Sequence, residues 1–285
     1  MAATERQVTA NGLSLWTATQ GAGPPVVLCH GGPGLYDYLE PVADMIDGLA
    51  TVHRYDQRGC GRSEDRPPND VVTFVEDLDA LREHWGYEAW TVIGHSWGAT
   101  LALLYAIQYP NRTQRLVYMS GTGIDPAWHQ EYRRNREAKL PPPERDRLRH
   151  LEQQRSTATG ADLDAINAER AILLEATEYN DPTVLAELPR YDRFPVNYPL
   201  NAALNAELSR MEEAGELPDQ VARIAVPTLV LDGEADPRPR WPRARIADLI
   251  PDSRHVTIAR AGHDLWVEQP DATAGALSDF LRDTG

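Results

Sequence analysis

The residues Gly94-His95-Ser96-Trp97-Gly98 place a serine between two glycines. They follow the apolar segment Trp90-Thr91-Val92-Ile93 and precede the apolar segment 99–108, a pattern that predicts a strand, a sharp turn and a helix. Such a turn strains the serine backbone and places the hydroxyl at a helix N-terminus, where free N–H groups favour developing negative charge. The motif therefore predicts that Ser96 is a nucleophile, and the alternative is a serine that only caps the helix.

A serine nucleophile needs a general base, and the base needs a carboxylate to orient it. Two later segments supply these residue types directly after predicted strands. The strand 228–231 leads to Asp236, and the strand 255–258 leads to His263. Because parallel strands present their carboxyl ends at one edge of a sheet, we expect both loops to lie beside Ser96.

Other acids and histidines fit these two roles less well. Asp232 ends its strand, and Glu234 stops two residues short of the far side of the turn. Of the eight histidines, His95 lies inside the turn with Ser96, six others lie in a glycine-rich loop, on strands or on helices, and His263 is the one in a polar loop after a strand. Asp236 and His263 are therefore the predicted acid and base.

Acyl transfer also needs two backbone N–H donors for the oxyanion. One is expected from Trp97, directly after the nucleophile. The other is expected from Gly32 in the loop His30-Gly31-Gly32-Pro33-Gly34, which follows the apolar strand Pro25-Val26-Val27-Leu28-Cys29.

The elements that must hold these residues alternate between strand and helix patterns, which predicts an α/β protein with a mainly parallel sheet covered on both faces. Asn11-Gly12 predicts an N-terminal hairpin. The segment from about Thr122 to Val221 is polar and has no strand pattern. Residues 144–154 and 162–175 within it read as amphipathic helices. We interpret residues 122–221 as a helical cap inserted into a core of residues 1–121 and 222–285.

Composition bounds the function. The 285 residues suffice for one large domain with an insertion, and no apolar run reaches the length of a membrane helix. With 28 Lys and Arg against 43 Asp and Glu, the net charge of −15 argues against nucleic-acid and anionic-membrane partners. The charge confers solubility, or a mild attraction for cationic substrates. Two cysteines exclude a disulfide framework, and the N-terminus lacks an apolar signal core, so we expect a cytoplasmic protein.

With these residues in place, the chain resembles the proline iminopeptidase branch of the α/β-hydrolase superfamily. The resemblance rests on three motifs: 30–34, 94–98 and Asp56-Gln57-Arg58-Gly59-Cys60-Gly61-Arg62-Ser63. It implies a mostly parallel eight-stranded sheet with helices on both faces and an inserted helical cap. It also implies a Ser96, Asp236 and His263 triad, oxyanion donors at Gly32 and Trp97, and a bracing role for 56–63. No metal or organic cofactor is implied.

Aminopeptidases of that family hold the substrate ammonium with acidic side chains from the cap and near the triad acid. The segment 201–207 resembles the cap region that supplies one of them, so Glu207 is a candidate anchor. Some relatives have a second acid directly after the triad aspartate, where this chain has Pro237. His95 stands where relatives often carry Gly or Ser, which points toward general hydrolases.

Three functions stay open at this point. The first is a serine peptidase that releases an N-terminal residue from a small peptide. The second is an esterase or lactonase acting on a small metabolite with the same machinery. The third is a non-catalytic ligand-binding protein, which is disfavoured because every catalytic position carries a competent residue.

Overall fold

An eight-stranded sheet forms the centre of the protein, whose computed structural model describes residues 3–186, 188 and 194–283. In chain order the strands are β1 (Thr4–Ala10), β2 (Leu13–Gly21), β3 (Pro25–Cys29), β4 (Thr51–Tyr55), β5 (Trp90–His95), β6 (Thr113–Met119), β7 (Thr228–Gly233) and β8 (Ser253–Ile258). Their spatial order is β1-β2-β4-β3-β5-β6-β7-β8. Strand β2 is antiparallel to both neighbours, and the pairs from β4 to β8 are all parallel. The predicted, mostly parallel eight-stranded sheet is confirmed.

The first two strands form the predicted hairpin. Asn11 and Gly12 join them, with φ angles of 47° and 74°. Both angles are positive, as a two-residue turn between twisted strands requires, and this is why the Asn-Gly pair identified the turn in the sequence.

Strand β3 shows why helices cover both faces of the sheet. Its side chains alternate between two hydrophobic clusters, with Val27 and Cys29 in the first and Val26 and Leu28 in the second. The first cluster includes side chains of α2 (Val71–His84), α3 (Trp97–Gln108) and α9 (Trp241–Leu249). The second includes side chains of α1 (Glu40–Ile46), α10 (Leu265–Glu268) and α11 (Pro270–Arg282). A strand that is apolar throughout therefore lies between two helical layers.

The predicted cap lies between β6 and β7. Its helices are α4 (Trp128–Lys139), α5 (Pro142–Arg155), α6 (Gly160–Glu175), α7 (Tyr198–Ala214) and α8 (Leu217–Val221), with 3₁₀ turns at Ala176–Glu178 and Pro182–Ala186. Helices α5 and α6 confirm that the two predicted segments are helical, and the described part of the cap has no strand. Residues 187 and 189–193 of the predicted cap lie outside the described residues. No helix in the described ranges is long and apolar enough to cross a bilayer.

The last helix of the cap segment packs on the core. Leu217 and Val221 of α8 are buried in the first cluster, and α8 contacts α3 and α9. The domain boundaries at 121 and 222 stay a prediction.

Candidate active site

Ser96 lies at a sharp turn between β5 and α3. Its φ of 57° and ψ of −121° place it in a strained region of backbone space. The flanking glycines allow the turn, because a Cβ on Gly94 would lie 1.9 Å from the carbonyl oxygen of Gly98. Strand and helix therefore approach more closely than any side chain at Gly94 permits.

Asp236 and His263 follow β7 and β8, at the same edge of the sheet, and both are buried. His263 Nδ1 is 3.0 Å from Asp236 Oδ2. Burial alone would raise the pKa of Asp236, but the charges of His263, Arg243 and Arg238 outweigh burial and hold that pKa well below its usual range. The Arg238 backbone N–H also donates to Asp236 Oδ1 at 2.9 Å. This carboxylate is therefore ionised and hydrogen-bonded to the histidine.

The turn and the histidine loop meet through His95, the residue before Ser96. The ring centroids of His95 and His263 are 4.6 Å apart. Within the described ranges no hydrogen bond joins Ser96 Oγ to His263. The structure thus joins Asp236 to His263 directly, and it packs His95, the residue before Ser96, against His263.

The glycine-rich loop 30–34 packs against the turn. A Cβ on Gly31 would lie 2.9 Å from Ser96 Cβ, and a Cβ on Gly98 would lie 2.0 Å from the Cys29 carbonyl oxygen. Gly32 and Trp97, the two predicted oxyanion donors, line the same cavity as Ser96. The Gly32–Pro33 peptide bond is cis, and Gly32 has a φ of 130°.

The motif 56–63 hydrogen-bonds to both of these loops. The Gln57 side chain donates to the His30 carbonyl at 2.7 Å and accepts from Trp97 Nε1 at 2.9 Å. Arg62 Nε donates to the buried Asp56 carboxylate at 2.6 Å and closes the motif on itself. One glutamine side chain therefore spans the distance between the glycine-rich loop and the residue after Ser96.

Two clusters of metal-ligand side chains share His263. Asp236 and Glu178 complete one, and His95 and Asp264 complete the other. Protein groups already occupy their carboxylates, since His263 and Arg238 bind Asp236, and the hydroxyl of Tyr179 donates to Asp264 at 2.9 Å. Neither cluster presents a free set of ligands to an ion.

Residues 24–270 match the family model of the alpha/beta hydrolase fold. This chain is an α/β hydrolase. Curated relatives of this hydrolase include a proline iminopeptidase of Heyndrickxia coagulans, 27% identical over 92% of this chain and 91% of the relative. A proline iminopeptidase of Saccharolobus solfataricus is 28% identical over 92% of this chain and 86% of the relative. The hydrolase is therefore similar to proline iminopeptidases, as its motifs predicted.

Solved structures agree with the fold. The structure of VinJ has a TM-score of 0.75 and is 25% identical, with 98% of each chain covered. The proline iminopeptidase of Mycobacterium smegmatis has a TM-score of 0.69 at 22% identity, covering 98% of this chain and 97% of the other, and it supports the fold alone.

Ser96 opens into a cavity of about 360 Å³ between the core of the hydrolase and its cap. Its lining residues come from the core (Gly32, Pro33, Ser96, Trp97, Thr100, Arg238), from the first residue of the predicted cap (Thr122), from α4 (Trp128, His129, Tyr132, Arg136) and from α7 (Asn201, Asn205, Leu208, Ser209, Glu212). Positions 201, 205, 208 and 212 of α7 are spaced three or four residues apart, and 209 adjoins 208, so they share one helix face. Cap helices therefore define the shape of the space above the serine.

The acid that this face presents is Glu212, which the sequence analysis did not identify. Its side chain is 1% exposed, and among the described residues neither carboxylate oxygen has a hydrogen-bond partner. The nearest basic group paired with the Glu212 carboxylate is the His129 ring, whose Nε2 lies 3.8 Å from Oε2. If Asn201 and Leu208 of α7 are assumed to face the cavity, helical spacing places Glu212 on the same face, and this pattern in the sequence could have identified it.

The structure does not bring Glu207 to the cavity. Glu207 lies on another side of α7, and its carboxylate accepts a hydrogen bond of 3.0 Å from the Val71 N–H at the start of α2. The physical reason is the helical repeat, which turns position 207 away from the face shared by positions 205, 208 and 212. In this structure Glu207 joins the cap to the N-terminus of a core helix, a location that favours carboxylates.

The cap also contacts the histidine loop directly. The backbone N–H of His263 donates to the Glu178 carbonyl at 2.7 Å. The Glu178 carboxylate accepts from Arg238 at 2.6 Å and from the Tyr132 hydroxyl at 2.9 Å. Burial opposes ionisation of Glu178, but the charges of Arg238 and Arg136 prevail and lower its pKa. No sequence motif marks this segment, so these contacts become visible only in three dimensions.

Proposed function

We propose that this α/β hydrolase is a serine aminopeptidase that releases an N-terminal residue from a short peptide or an aminoacyl amide. Ser96, His263 and Asp236 form the proposed triad, and the N–H groups of Gly32 and Trp97 form the proposed oxyanion hole. The similarity to proline iminopeptidases over about nine-tenths of the chain supports the reaction class.

The observation that carries the substrate assignment is Glu212. A buried carboxylate without a hydrogen-bond partner is costly, and a cationic ligand is the natural way to satisfy it. Glu212 lines the same cavity as Ser96, so an ammonium bound there belongs to the molecule whose carbonyl lies at the serine. An α-amino group next to a scissile carbonyl has this arrangement of charge and electrophile.

The proposed reaction proceeds through an acyl-enzyme. His263 Nε2 accepts the proton of Ser96 as Oγ attacks the carbonyl carbon, and the N–H groups of Gly32 and Trp97 bind the resulting oxyanion. The ionised Asp236 accepts a hydrogen bond from His263 Nδ1 and stabilises the imidazolium. His263 then donates the proton to the leaving amine. Water, deprotonated by His263, attacks the ester and releases the amino acid and Ser96.

Replacing the nucleophile tests the reaction class. Ser96→Ala is expected to lower kcat on an alanyl or prolyl amide by a factor on the order of 10⁶, because no oxygen remains to form the acyl-enzyme. The thermal unfolding midpoint should stay near that of the wild type. A Ser96→Ala protein that keeps a tenth of the wild-type turnover would overturn the triad.

Removing one charge tests the substrate class. Glu212→Gln is expected to lower kcat/KM on aminoacyl amides about tenfold to hundredfold, because a charge-assisted hydrogen bond to the ammonium is lost. The hydrolysis of an ester without an amino group should change little. N-acetylation of the peptide should produce a similar defect in the wild-type enzyme, since it removes the other charge of the pair.

Glu207→Gln is the matched control, because it makes the same change on the same helix outside the cavity. It should leave kcat/KM on aminoacyl amides within about twofold of wild type. If Glu212→Gln slows amides and esters equally, or if N-acetyl peptides are cleaved as fast as free ones, the aminopeptidase assignment fails. Full activity on esters or lactones would then favour the esterase or lactonase function.

A further inference from the structure

His95 is fully enclosed beside the candidate nucleophile, and both of its ring nitrogens have partners. Nδ1 is 2.8 Å from the hydroxyl oxygen of Tyr38, and Nε2 is 3.1 Å from the backbone carbonyl oxygen of His263. Its ring packs edge-on against Trp266 at a centroid distance of 4.8 Å. This side chain is thus held between two loops of the site, and the reaction sequence given above does not use it.

The partners determine where the protons lie. The His263 carbonyl can only accept, so Nε2 of His95 carries the hydrogen and Nδ1 accepts the hydrogen of the Tyr38 hydroxyl. The Tyr38 oxygen in turn accepts the backbone N–H of Gly31 at 2.8 Å. Burial, and to a smaller extent His263, lowers the pKa of His95 well below its usual value, so the ring is neutral. Every donor in this chain of hydrogen bonds meets an acceptor.

The chain ends at the Gly31 N–H, which is one peptide before the N–H of Gly32. A Cβ on Gly31 would lie 2.4 Å from the Tyr38 oxygen and 2.9 Å from Ser96 Cβ, so Gly31 fits tightly between the tyrosine and the serine. At the other end, the His263 carbonyl accepts a second hydrogen bond, of 2.9 Å, from the buried hydroxyl of Ser120. One hydrogen-bonded path thus runs from the histidine loop to the glycine-rich loop behind Ser96.

We propose that His95 is a positioning residue that acts through Tyr38 to hold the oxyanion loop in register with the loop of the general base. The inference rests on the proposed function, because it assigns oxyanion binding to Gly32 and proton transfer to His263. Oxyanion donors act by preorganisation, so a small displacement of the Gly31–Gly32 peptide affects the transition state more than the bound substrate.

Three substitutions test this path. Tyr38→Phe keeps the ring and removes only the oxygen that joins His95 to Gly31. His95→Leu removes both hydrogen bonds of the imidazole, whereas His95→Gln retains an acceptor for Tyr38 and a donor for the His263 carbonyl. Tyr87→Phe is the matched control, because it removes a tyrosine hydroxyl that bonds to a different buried histidine, His53, at 3.1 Å.

The readouts separate positioning from general destabilisation. For each variant we would measure kcat and KM on an aminoacyl amide, the unfolding midpoint, and the inhibition constant of an aminoalkyl boronic acid. Ser96 Oγ adds to the boron of that inhibitor and gives its proton to His263, so the adduct is tetrahedral and resembles the transition state.

Tyr38→Phe and His95→Leu are expected to lower kcat about tenfold to hundredfold with KM within about twofold, and to weaken the boronic acid by a similar factor. His95→Gln should recover most of the activity lost in His95→Leu. The double variant Tyr38→Phe/His95→Leu should be no slower than the slower single variant, because both changes break one path. Tyr87→Phe should behave as wild type.

The inference is overturned if Tyr38→Phe leaves kcat and boronic acid binding unchanged, if the two losses multiply, or if His95→Gln is as impaired as His95→Leu. Tyr38→Phe decides the matter even if His95→Leu fails to fold, since it preserves the ring packing. Ser96→Ala is measured alongside. If that variant stays active, the proposed function fails, whereas an inactive Ser96→Ala with a fully active Tyr38→Phe rejects the positioning role alone.

Discussion

At the scale of single residues, the site depends on the absence of a Cβ atom at Gly98 as well as on its functional side chains. Gly98 lies where α3 passes the end of β3, and the space for a Cβ is already filled by the carbonyl oxygens of Cys29 and His30, at 2.0 and 2.6 Å. Backbone atoms cannot swing aside as a flexible side chain can. Any residue larger than glycine must therefore separate the helix that begins at Trp97 from the start of the glycine-rich loop 30–34.

We expect Gly98→Ala to lower the free energy of unfolding by about 1–3 kcal/mol and to lower kcat, because the added methyl group displaces the loop that carries Gly32. Urea denaturation and steady-state kinetics would measure the two effects. Gly275→Ala on α11 is the control: apart from its chain neighbours and the backbone of its own helix, nothing lies within 4 Å of an added Cβ, so it should stabilise the protein by about 0.5–1 kcal/mol. A Gly98→Ala enzyme with normal stability and kcat would contradict this account of the turn.

At the scale of elements, the cap is joined to the loop that carries Asp236. The ammonium of Lys139, at the end of α4, donates to the carbonyls of Thr177, Tyr179 and Ala235. Asn135, one turn earlier, donates to the Pro237 carbonyl at 3.0 Å. These bonds lie on both sides of Asp236 in the sequence, so the position of α4 and that of the acid loop depend on each other.

Lys139→Met should lower kcat/KM about tenfold, because the substitution keeps the aliphatic stem and removes a charge that bonds to three carbonyls. Steady-state kinetics on an aminoacyl amide would measure it. Arg147→Met is the control, since its exposed pairing with Glu169 on α5 and α6 contributes little. If both variants retain wild-type kinetics, the hydrogen bonds between α4 and the loop that carries Asp236 do not contribute to catalysis.

The elements also show where sequence reasoning ends. Apolar strands such as β3 and β5 are identified by their composition, so the sheet could be predicted from the sequence. Ser96, Asp236 and His263 are identified by their place after strands, so the candidate triad could also be proposed from the sequence. Helix α4 could not be predicted in this way, because Trp128 is its one buried residue and no apolar stripe marks the helix. The choice between Glu207 and Glu212 required the rotation of α7 about its axis, which is fixed by packing of the cap on the core.

At the scale of the whole molecule, stability is coupled to pH through buried histidines. His53 is buried on β4, between β2 and β3 in the sheet, where its ring stacks on Trp85 at a centroid distance of 3.9 Å and bonds to Thr19 at 2.9 Å. Burial lowers its pKa to about 4. The unfolded chain takes up a proton near pH 6.5, whereas the folded protein does not until pH falls to about 4, so stability present above pH 6.5 is lost as pH falls through this window.

For this one group the loss between pH 7 and pH 5 is about 2 kcal/mol. His53→Gln should remove that contribution, so the free energy of unfolding of the variant should fall less steeply over the same interval. Urea denaturation of wild type and variant at pH 7, 6 and 5 would measure the slopes. Parallel slopes for the two proteins would show that His53 is protonated in the folded state as readily as in the unfolded one.

The hydrogen bond from the His263 backbone N–H to the Glu178 carbonyl has a consequence for protein engineering. Exchanging the caps of two related enzymes is one way to transfer substrate preference from one to the other. In this molecule a transplanted cap that did not place a backbone carbonyl at the position of the Glu178 carbonyl would leave that N–H without its acceptor, and a buried N–H left unpaired costs about 1–3 kcal/mol. A chimera must therefore preserve the backbone course of residues 176–179, even where every cavity-lining side chain of the donor cap is retained.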